Sequence, residues 1–181
     1  MKNYSHFAIS FLKVILWISL VSGGIAILVT ILCLVAIVFD LDMPFLNGAK
    51  ITINGAAVKF TELKQQGIFN FTIFGIFIIV YLWVFMKLMS NALNILNRVD
   101  FQNPFNQETS DLISKLSSSA LLLGILNIVF SSIIPLLFKG NFVIDFSFES
   151  FNFLIMAAIL YIVSLIFKKG VELQSEIDLT I

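Results

Sequence analysis

The sequence predicts an all-α membrane protein, with four transmembrane helices and a small extracytoplasmic β-sheet formed by the two outer loops. Composition is the first observation, since 59% of the 181 residues are hydrophobic and only 12% are charged. A soluble domain of this length has too little interior to hide that much apolar surface. The other two observations are four long charge-free runs and an Asn-Gly pair between alternating apolar residues.

The charge-free runs predict the spans. They contain 26, 22, 23 and 18 residues, and they lie between Lys13 and Asp40, Lys64 and Lys87, Lys115 and Lys139, and Glu149 and Lys168. At about 1.5 Å per residue, each can cross a hydrocarbon core of about 30 Å as a helix. We therefore predict one domain over residues 1–181, with spans at about 14–38, 67–88, 116–138 and 151–167. The connecting segments are outer loops 40–64 and 139–149, a cytoplasmic loop 90–114 and a cytoplasmic tail 168–181.

The distribution of basic residues predicts the orientation. With the N-terminus in the cytoplasm, seven of the eleven Lys and Arg side chains lie inside and four outside. Cytoplasmic loops carry such an excess. Trp17, Trp83 and Tyr161 would then lie toward the cytoplasmic interface, where amphipathic rings are enriched. Because abundant Phe and Ile beside Asn and Lys fit an AT-rich bacterial genome, we expect a multi-pass protein of the bacterial inner membrane, with both termini cytoplasmic.

Both outer loops show strand-like alternation. Asn54-Gly55 favours a two-residue type I′ turn, which would pair Ile51 with Val58. The second loop, from Asn141 to Glu149, also alternates, and it could add a third strand. Such a sheet could be an extracytoplasmic binding platform or a lid over the helix ends, and the lid is the favoured interpretation because exposed apolar strands need cover.

The spans contain small and polar residues but no charged ones. Because proton relays, ion-coupled transporters and charge-selective channels place ionisable groups at membrane depth, this pattern disfavours them. Asn127 is expected to form hydrogen bonds across helices, and Ala120 with Gly124 to allow close helix approach. Pro135 should kink or end the third helix.

No group of residues predicts catalysis or a cofactor. Asp40 and Asp42 offer too few ligands for a metal, and they are better interpreted as a membrane-exit boundary. His6 has no Cys or carboxylate at ligand spacing, and Cys33 lies in an apolar run. We therefore expect a protein that is not an enzyme, with no catalytic, metal or cofactor-binding residues.

The cytoplasmic segments carry local structure signals. Asn103-Pro104 predicts a turn, after which Asn106 can cap the third helix ahead of its apolar part. Lys168 and Lys169 should anchor the fourth span at the headgroups, and Gly170 should end that helix. The apolar and acidic tail could pack against the central loop or bind a partner, and both alternatives remain open.

Two motifs in these segments resemble a known family. The central loop contains Asn103-Pro104-Phe105, and the tail reads Gly170-Val171-Glu172-Leu173-Gln174-Ser175-Glu176-Ile177-Asp178-Leu179-Thr180-Ile181. With the four-span layout, they resemble the domain of unknown function 2975 family of small bacterial membrane proteins. That family has no assigned activity. The resemblance implies a small helix-turn-helix regulator of the Cro/CI type as a neighbour, since such regulators are often encoded beside family members.

We predict that the loop and the tail form one interaction surface. Its candidate residues are Asn103, Pro104, Phe105, Gly170, Glu172, Leu173, Asp178, Leu179 and Thr180. The favoured function is sensing or sequestering, in which this surface binds a cytoplasmic regulator or a second copy of the chain. The alternative is an uncharged-cavity pore, transporter or immunity-type protein that acts on small amphiphiles or membrane-active peptides. The other expected partner is the lipid bilayer, and the zero net charge argues against direct binding of nucleic acid.

Overall fold

The computed structural model describes residues 2–41, 50–53, 56–59, 67–98, 105–140 and 148–178. Within these ranges the chain forms four long helices and two short strands. The helices are α1 (Lys2–Val38), α2 (Ile68–Arg98), α3 (Gln107–Lys139) and α4 (Phe148–Asp178), and the strands are β1 (Lys50–Ile53) and β2 (Ala56–Lys59).

All four helices are long and apolar enough to cross a membrane. Their candidate spans are Phe7–Val38, Ile68–Arg98, Gln107–Leu137 and Phe151–Glu176, with mean hydropathy of 2.8, 2.3, 2.4 and 2.1. Even the shortest of these spans, with 26 residues, exceeds the roughly 20 residues that a bilayer core requires. The chain is therefore a multi-pass membrane protein whose helices continue beyond the apolar layer.

Helix α1 ends at Val38, and Asp40 lies in the turn that follows it. This residue has a φ of 49°. The Leu41 N–H donates to the Ala36 carbonyl at 2.8 Å, and the Asp40 N–H donates to the Ile37 carbonyl at 3.2 Å. These two bonds form a Schellman motif, which satisfies carbonyls at the helix end. Asp40 therefore has a structural role as the left-handed residue that follows the helix.

The two strands form an antiparallel hairpin. Ile51 pairs with Val58 and Ile53 with Ala56, which is the register that a two-residue turn at 54–55 predicts. The turn residues themselves lie outside the described ranges.

The predicted β-sheet formed by the two outer loops is wrong. The described residues contain no strand from the second outer loop, and Phe148 and Glu149 form the first turn of α4. Alternation over a short apolar segment does not separate strand from helix, because Phe148, Phe151 and Ile155 also share one face of a helix. Residues 141–147 lie outside the described ranges. The described part of the chain is thus a four-helix membrane domain with one hairpin.

The helices pack chiefly against their neighbours in chain order. One apolar cluster joins α1, α2 and α3 near the hairpin and includes Cys33, Phe74 and Phe130. A second cluster joins α2, α3 and α4 farther from the hairpin and includes Val84, Leu123 and Ala157. Helices α2 and α3 contribute to both clusters, so they are the central elements of the bundle, and α3 is the more buried of the two.

The α3–α4 contact is close because small residues line it. A Cβ atom added at Gly124 would lie 2.8 Å from Leu154 Cδ2 and 3.3 Å from its backbone nitrogen. Two turns away, the Ser117 hydroxyl donates to the Ala157 carbonyl at 2.9 Å. Ala120 is fully buried, in agreement with the predicted small-residue face.

Gly170 and Pro135 both lie inside helices in the structure. Gly170 does not end the fourth helix, because α4 continues through it to Asp178. Pro135 lies inside α3, which ends at Lys139 with Gly140 as the left-handed C-cap at a φ of 67°. The prediction that Gly170 ends the helix considered only backbone freedom, whereas the structure uses the missing side chain of this glycine.

Candidate interaction surface at one end of the bundle

Helices α2, α3 and α4 extend beyond the charge-free runs at the same end of the molecule. We call this the connector end, since it is where α2 ends and α3 begins. Helix α2 continues 11 residues past Lys87 to Arg98, and α4 continues 10 residues past Lys168 to Asp178. At about 1.5 Å per residue, both extensions project about 15 Å from the apolar layer. They form a helical platform beyond the charge-free runs.

The start of α3 is fixed by a cap and an ion pair. Asn106 has extended backbone angles, and its side-chain oxygen accepts a hydrogen bond from the Thr109 N–H at 2.7 Å. This confirms the predicted N-cap. In the first turn, Glu108 accepts from Arg98 Nη1 at 2.9 Å. Because each of these side chains is 59% exposed, the ion pair adds little to the free energy of folding. Its main effect is to orient the end of α2 relative to the start of α3.

Phe105 packs on the face of α4. Its ring centroid lies 5.3 Å from that of Phe167. A Cβ atom at position 170 would lie 2.5 Å from Phe105 Cδ1 and 2.9 Å from Cε1. Only glycine at this position leaves room for the ring. The residue before the N-cap of α3 is therefore seated on the extension of α4, although 42% of Phe105 stays exposed.

Hydrogen bonds from buried side chains join the platform end of α3 to its neighbouring helices. Thr109 and Ser110 are buried, and the Ser110 hydroxyl donates to the Ser164 carbonyl of α4 at 3.3 Å. This bond lies one heptad from the Ser117–Ala157 bond along the same antiparallel contact. On the α2 side, the Asn91 side-chain amide donates to the Ser119 hydroxyl at 2.9 Å. The first turns of α3 are thus bonded to both neighbouring helices.

The structure describes only some of the predicted surface residues. Phe105 and Gly170 touch each other. Leu173 is 52% exposed one turn beyond Gly170, and Glu172 accepts a hydrogen bond from Lys169 at 3.1 Å. Asp178 is the last residue of α4. The other candidates, Asn103, Pro104, Leu179 and Thr180, lie outside the described ranges.

Sequence reasoning missed two parts of this site. Phe167 was not singled out, although it lies one turn before Gly170 on the same helix face. The Arg98–Glu108 pair was also missed, although opposite charges flank the 99–106 segment. Their spacing alone gave no reason to prefer this pair, because the distance between two helix ends depends on how the helices pack.

This surface presents side chains of mixed chemistry. Its exposed side chains are aromatic, aliphatic and of both charges, including Phe105, Leu173, Glu172, Glu176 and Lys169. Within the described part of the chain, no three His, Cys, Asp or Glu side chains lie close enough together to hold a metal ion.

Comparison with known proteins gives one match. The family model described as "Protein of unknown function (DUF2975)" matches residues 52–181, which include most of the hairpin, α2, α3, α4 and the tail. No curated protein and no solved structure matches the chain.

Proposed function

The chain belongs to the DUF2975 family of proteins of unknown function, and we propose that it is a non-enzymatic membrane protein that binds a cytoplasmic regulator through its connector end. The binding surface consists of Phe105, Gly170 and residues 171–181 of the tail, which include Glu172 and Leu173. The regulator that the family resemblance suggests is a small helix-turn-helix protein of the Cro/CI type. A second copy of the chain is the other candidate partner.

The contact between Phe105 and Gly170 carries this proposal. It joins the Asn-Pro-Phe motif of the central loop to the glycine that begins the tail motif, so the two motifs of the family resemblance meet in one place. A purely structural contact would bury the aromatic ring, yet 42% of Phe105 remains exposed. An exposed aromatic ring that packs against a neighbouring helix is typical of a binding site.

The tail supplies charge for recognition. The segment 170–181 contains three acidic side chains and no basic one. Glu172 and Glu176 are exposed one turn apart on α4, beside exposed Leu173. Such a surface favours a protein partner with basic and apolar groups, and it disfavours direct contact with nucleic acid.

This function requires the connector end and both termini to lie in the cytoplasm, in a bacterial inner membrane. The excess of basic residues on this side supports that orientation. Lys87 Nζ lies over the Trp83 ring, 5.6 Å from its centroid, at the boundary where aromatic and basic side chains mark a membrane interface.

The orientation can be tested with fusions. A reporter active only in the cytoplasm should give signal after Ile181 or Arg98 and none after Gly55 or Gly140. Signal only after Gly55 and Gly140 would place the proposed surface outside the cell and end the proposal.

The binding function can be tested by co-purification. The chain in nanodiscs should retain a helix-turn-helix regulator of the Cro/CI type, and Phe105→Ala should reduce the retained amount at least fivefold, because the anchor ring is removed. Phe7→Ala is the matched control, since Phe7 is 74% exposed and lies in the first turns of α1, at the same end of the bundle. Removal of residues 173–181 should also abolish retention while leaving the Phe105–Gly170 contact intact. Equal retention by wild type and both surface variants would contradict the proposal.

A further inference from the structure

Helix α4 packs on α3 in a register that two hydrogen bonds define. The Ser110 hydroxyl donates to the Ser164 carbonyl at 3.3 Å. The Ser117 hydroxyl donates to the Ala157 carbonyl at 2.9 Å. Both bonds belong to one antiparallel register, because a step of seven residues forward along α3 matches a step of seven residues back along α4. They therefore fix which levels of the two helices lie side by side.

The charge-free runs of α3 and α4 are offset in this register. Residues 150–167 of α4 lie level with residues 107–124 of α3. The charge-free run of α3, however, covers residues 116–138. Together the two runs extend over about 48 Å at about 1.5 Å per residue, whereas a hydrocarbon core is about 30 Å thick. A bilayer therefore cannot cover both runs completely.

Helices α1 and α2 are aligned with α3, so α4 is the displaced helix. Asn70, near the start of α2, donates to the Leu137 carbonyl near the end of α3 at 3.3 Å. Leu34 of α1 lies against Gly75 of α2. The charge-free runs of these three helices therefore occupy largely the same layer, and that of α4 is displaced from it toward the connector end.

The displacement places apolar and charged side chains at one level. Asp111 and Lys115 of α3 are exposed, and they lie level with residues 159–163 of α4. On that part of α4, Ile159 is 56% exposed and Ile162 is 57% exposed. A bilayer boundary at Lys115 would leave the isoleucines in water, which is unfavourable. A boundary farther toward the connector end would bring both charged groups into hydrocarbon, which is also unfavourable.

A shift of α4 by seven residues, away from the connector end, removes this conflict. Residues 150–167 would then lie level with residues 114–131 of α3, close to its own charge-free run. The combined length of the two runs falls to about 37 Å, which a bilayer accommodates through tilt and local thickening. The shift also brings the start of α4 nearer to the end of α3, so the chain that joins them does not have to lengthen.

The α3–α4 contact fits both registers because it repeats. On α3, Ser110, Ser117 and Gly124 are spaced by seven residues, and Ala157 and Ser164 have the same spacing on α4. All five residues are buried. After the shift, Ser117 would lie opposite Ser164 and Gly124 opposite Ala157. A small residue again meets a small residue, so the close approach of the helices is kept.

We propose that α4 has two axial positions, the observed one and one shifted by seven residues, and that bilayer thickness selects between them. A thick bilayer favours the observed position, whose apolar runs extend farther, and a thin bilayer favours the shifted one. The shift moves Gly170 about 10 Å away from Phe105 and so breaks their contact. This consequence rests on the proposed function, since that contact is part of the surface that binds the regulator.

Disulfide cross-linking distinguishes the two positions. In a Cys33→Ala background, Ser117→Cys with Ala157→Cys reports the observed position. Ser117→Cys with Ser164→Cys reports the shifted position. Neither pair can form in the other position, because seven residues separate the Cα atoms by about 10 Å along the axis, beyond the limit of about 7 Å for a disulfide.

The cross-linking yields should depend on the lipid. The pair for the shifted position should form about fivefold more disulfide in short-chain than in long-chain phosphatidylcholine, and the pair for the observed position should change in the opposite direction. Asn91→Cys with Ser119→Cys is the matched control. These side chains bond across α2 and α3 at 2.9 Å, and both helices keep their alignment, so this yield should not change.

Two results would overturn the proposal. One is the absence of the 117–164 disulfide in every bilayer, and the other is a pair of yields that do not respond to lipid length. Either result would show that α4 has a single axial position.

Retention of the regulator separates this inference from the binding function. With the disulfides formed, the 117–157 variant should retain a Cro/CI-type regulator, and the 117–164 variant should retain about fivefold less, because the Phe105 contact is lost. Equal retention by the two locked variants would overturn the link between axial position and binding. Absence of retention by wild type would contradict the proposed function alone, since the cross-linking yields test the two positions without any regulator.

Discussion

Helices α1 and α3 are both apolar enough to span a membrane, but they differ in how much of their surface is buried and in which residues are buried. In their most apolar segments, 39% of α3 is buried against 22% of α1. The exposed face of α1 consists of large apolar side chains such as Phe11, Ile18 and Leu28. In contrast, α3 buries polar residues, and all but one of the buried polar residues in the described part of the chain belong to it. They are Thr109, Ser110, Ser117, Ser119, Asn127, Ser131 and Ser132.

The comparison shows which kinds of contact stabilise the packing of helices within a bilayer. Since lipid tails are as apolar as leucine, burying a large apolar side chain between helices gains little. Helices associate instead through close packing of small residues and through hydrogen bonds between helices. Helix α3 has both, which is why it occupies the centre, whereas α1 presents most of its surface to the bilayer.

The largest expected effect is at Gly124. Gly124→Ala should lower the free energy of unfolding by about 1–3 kcal/mol, because its Cβ would lie 2.8 Å from Leu154 Cδ2 and the nearby Leu154 backbone cannot yield. Unfolding by SDS titration in mixed micelles measures this.

Gly24 of α1 is the matched control. No atom lies within 4 Å of the position that its Cβ would take. Gly24→Ala should therefore be neutral or stabilise by up to about 1 kcal/mol through helix propensity. Equal losses at Gly24 and Gly124 would show that the two helices are packed alike and would break the comparison.

A smaller effect is expected at the serines of α3. Ser117→Ala removes the hydrogen bond to the Ala157 carbonyl of α4 and should cost about 0.6 kcal/mol. Ser118→Ala removes a bond within α3 only, so its cost should be close to zero. The same titration measures both, and a larger loss for Ser118→Ala would mean that hydrogen bonds between helices do not stabilise α3.

The smallest effect is expected at the connector end. Arg98→Gln breaks an ion pair whose side chains are each 59% exposed, so the loss should be at most about 0.5 kcal/mol at low salt. It should disappear at high salt, where exposed charges are screened. A double-mutant cycle with Glu108→Gln isolates the pair, and a coupling that persists in 1 M salt (about 3 Å Debye length) would indicate a buried interaction.

Several features of the fold could be predicted because they depend on local chemistry. A charge-free run must be long enough to cross the bilayer, so the four spans follow from the positions of the charged residues. The turn at 54–55 determines which residues of β1 and β2 pair. Asn106 caps α3 because its side chain reaches an N–H only three residues away.

Other features were decided by tertiary structure. The alternation before Phe148 looked like a third strand, but a short segment fits either period, and α4 begins there. Gly170 looked like a helix end, yet it is a helical residue whose missing side chain makes room for Phe105, and that contact depends on two segments about 65 positions apart. The sequence could not predict which serines form hydrogen bonds to a neighbouring helix. Ser117 and Ser118 are adjacent and differ only in the direction they face, yet Ser117 bonds to α4 and Ser118 bonds within α3. The sequence alone determined the spans and local turns because a bilayer and a hydrogen bond act on neighbouring residues, whereas the central position of α3 and the loop–tail contact depend on how separate helices approach one another.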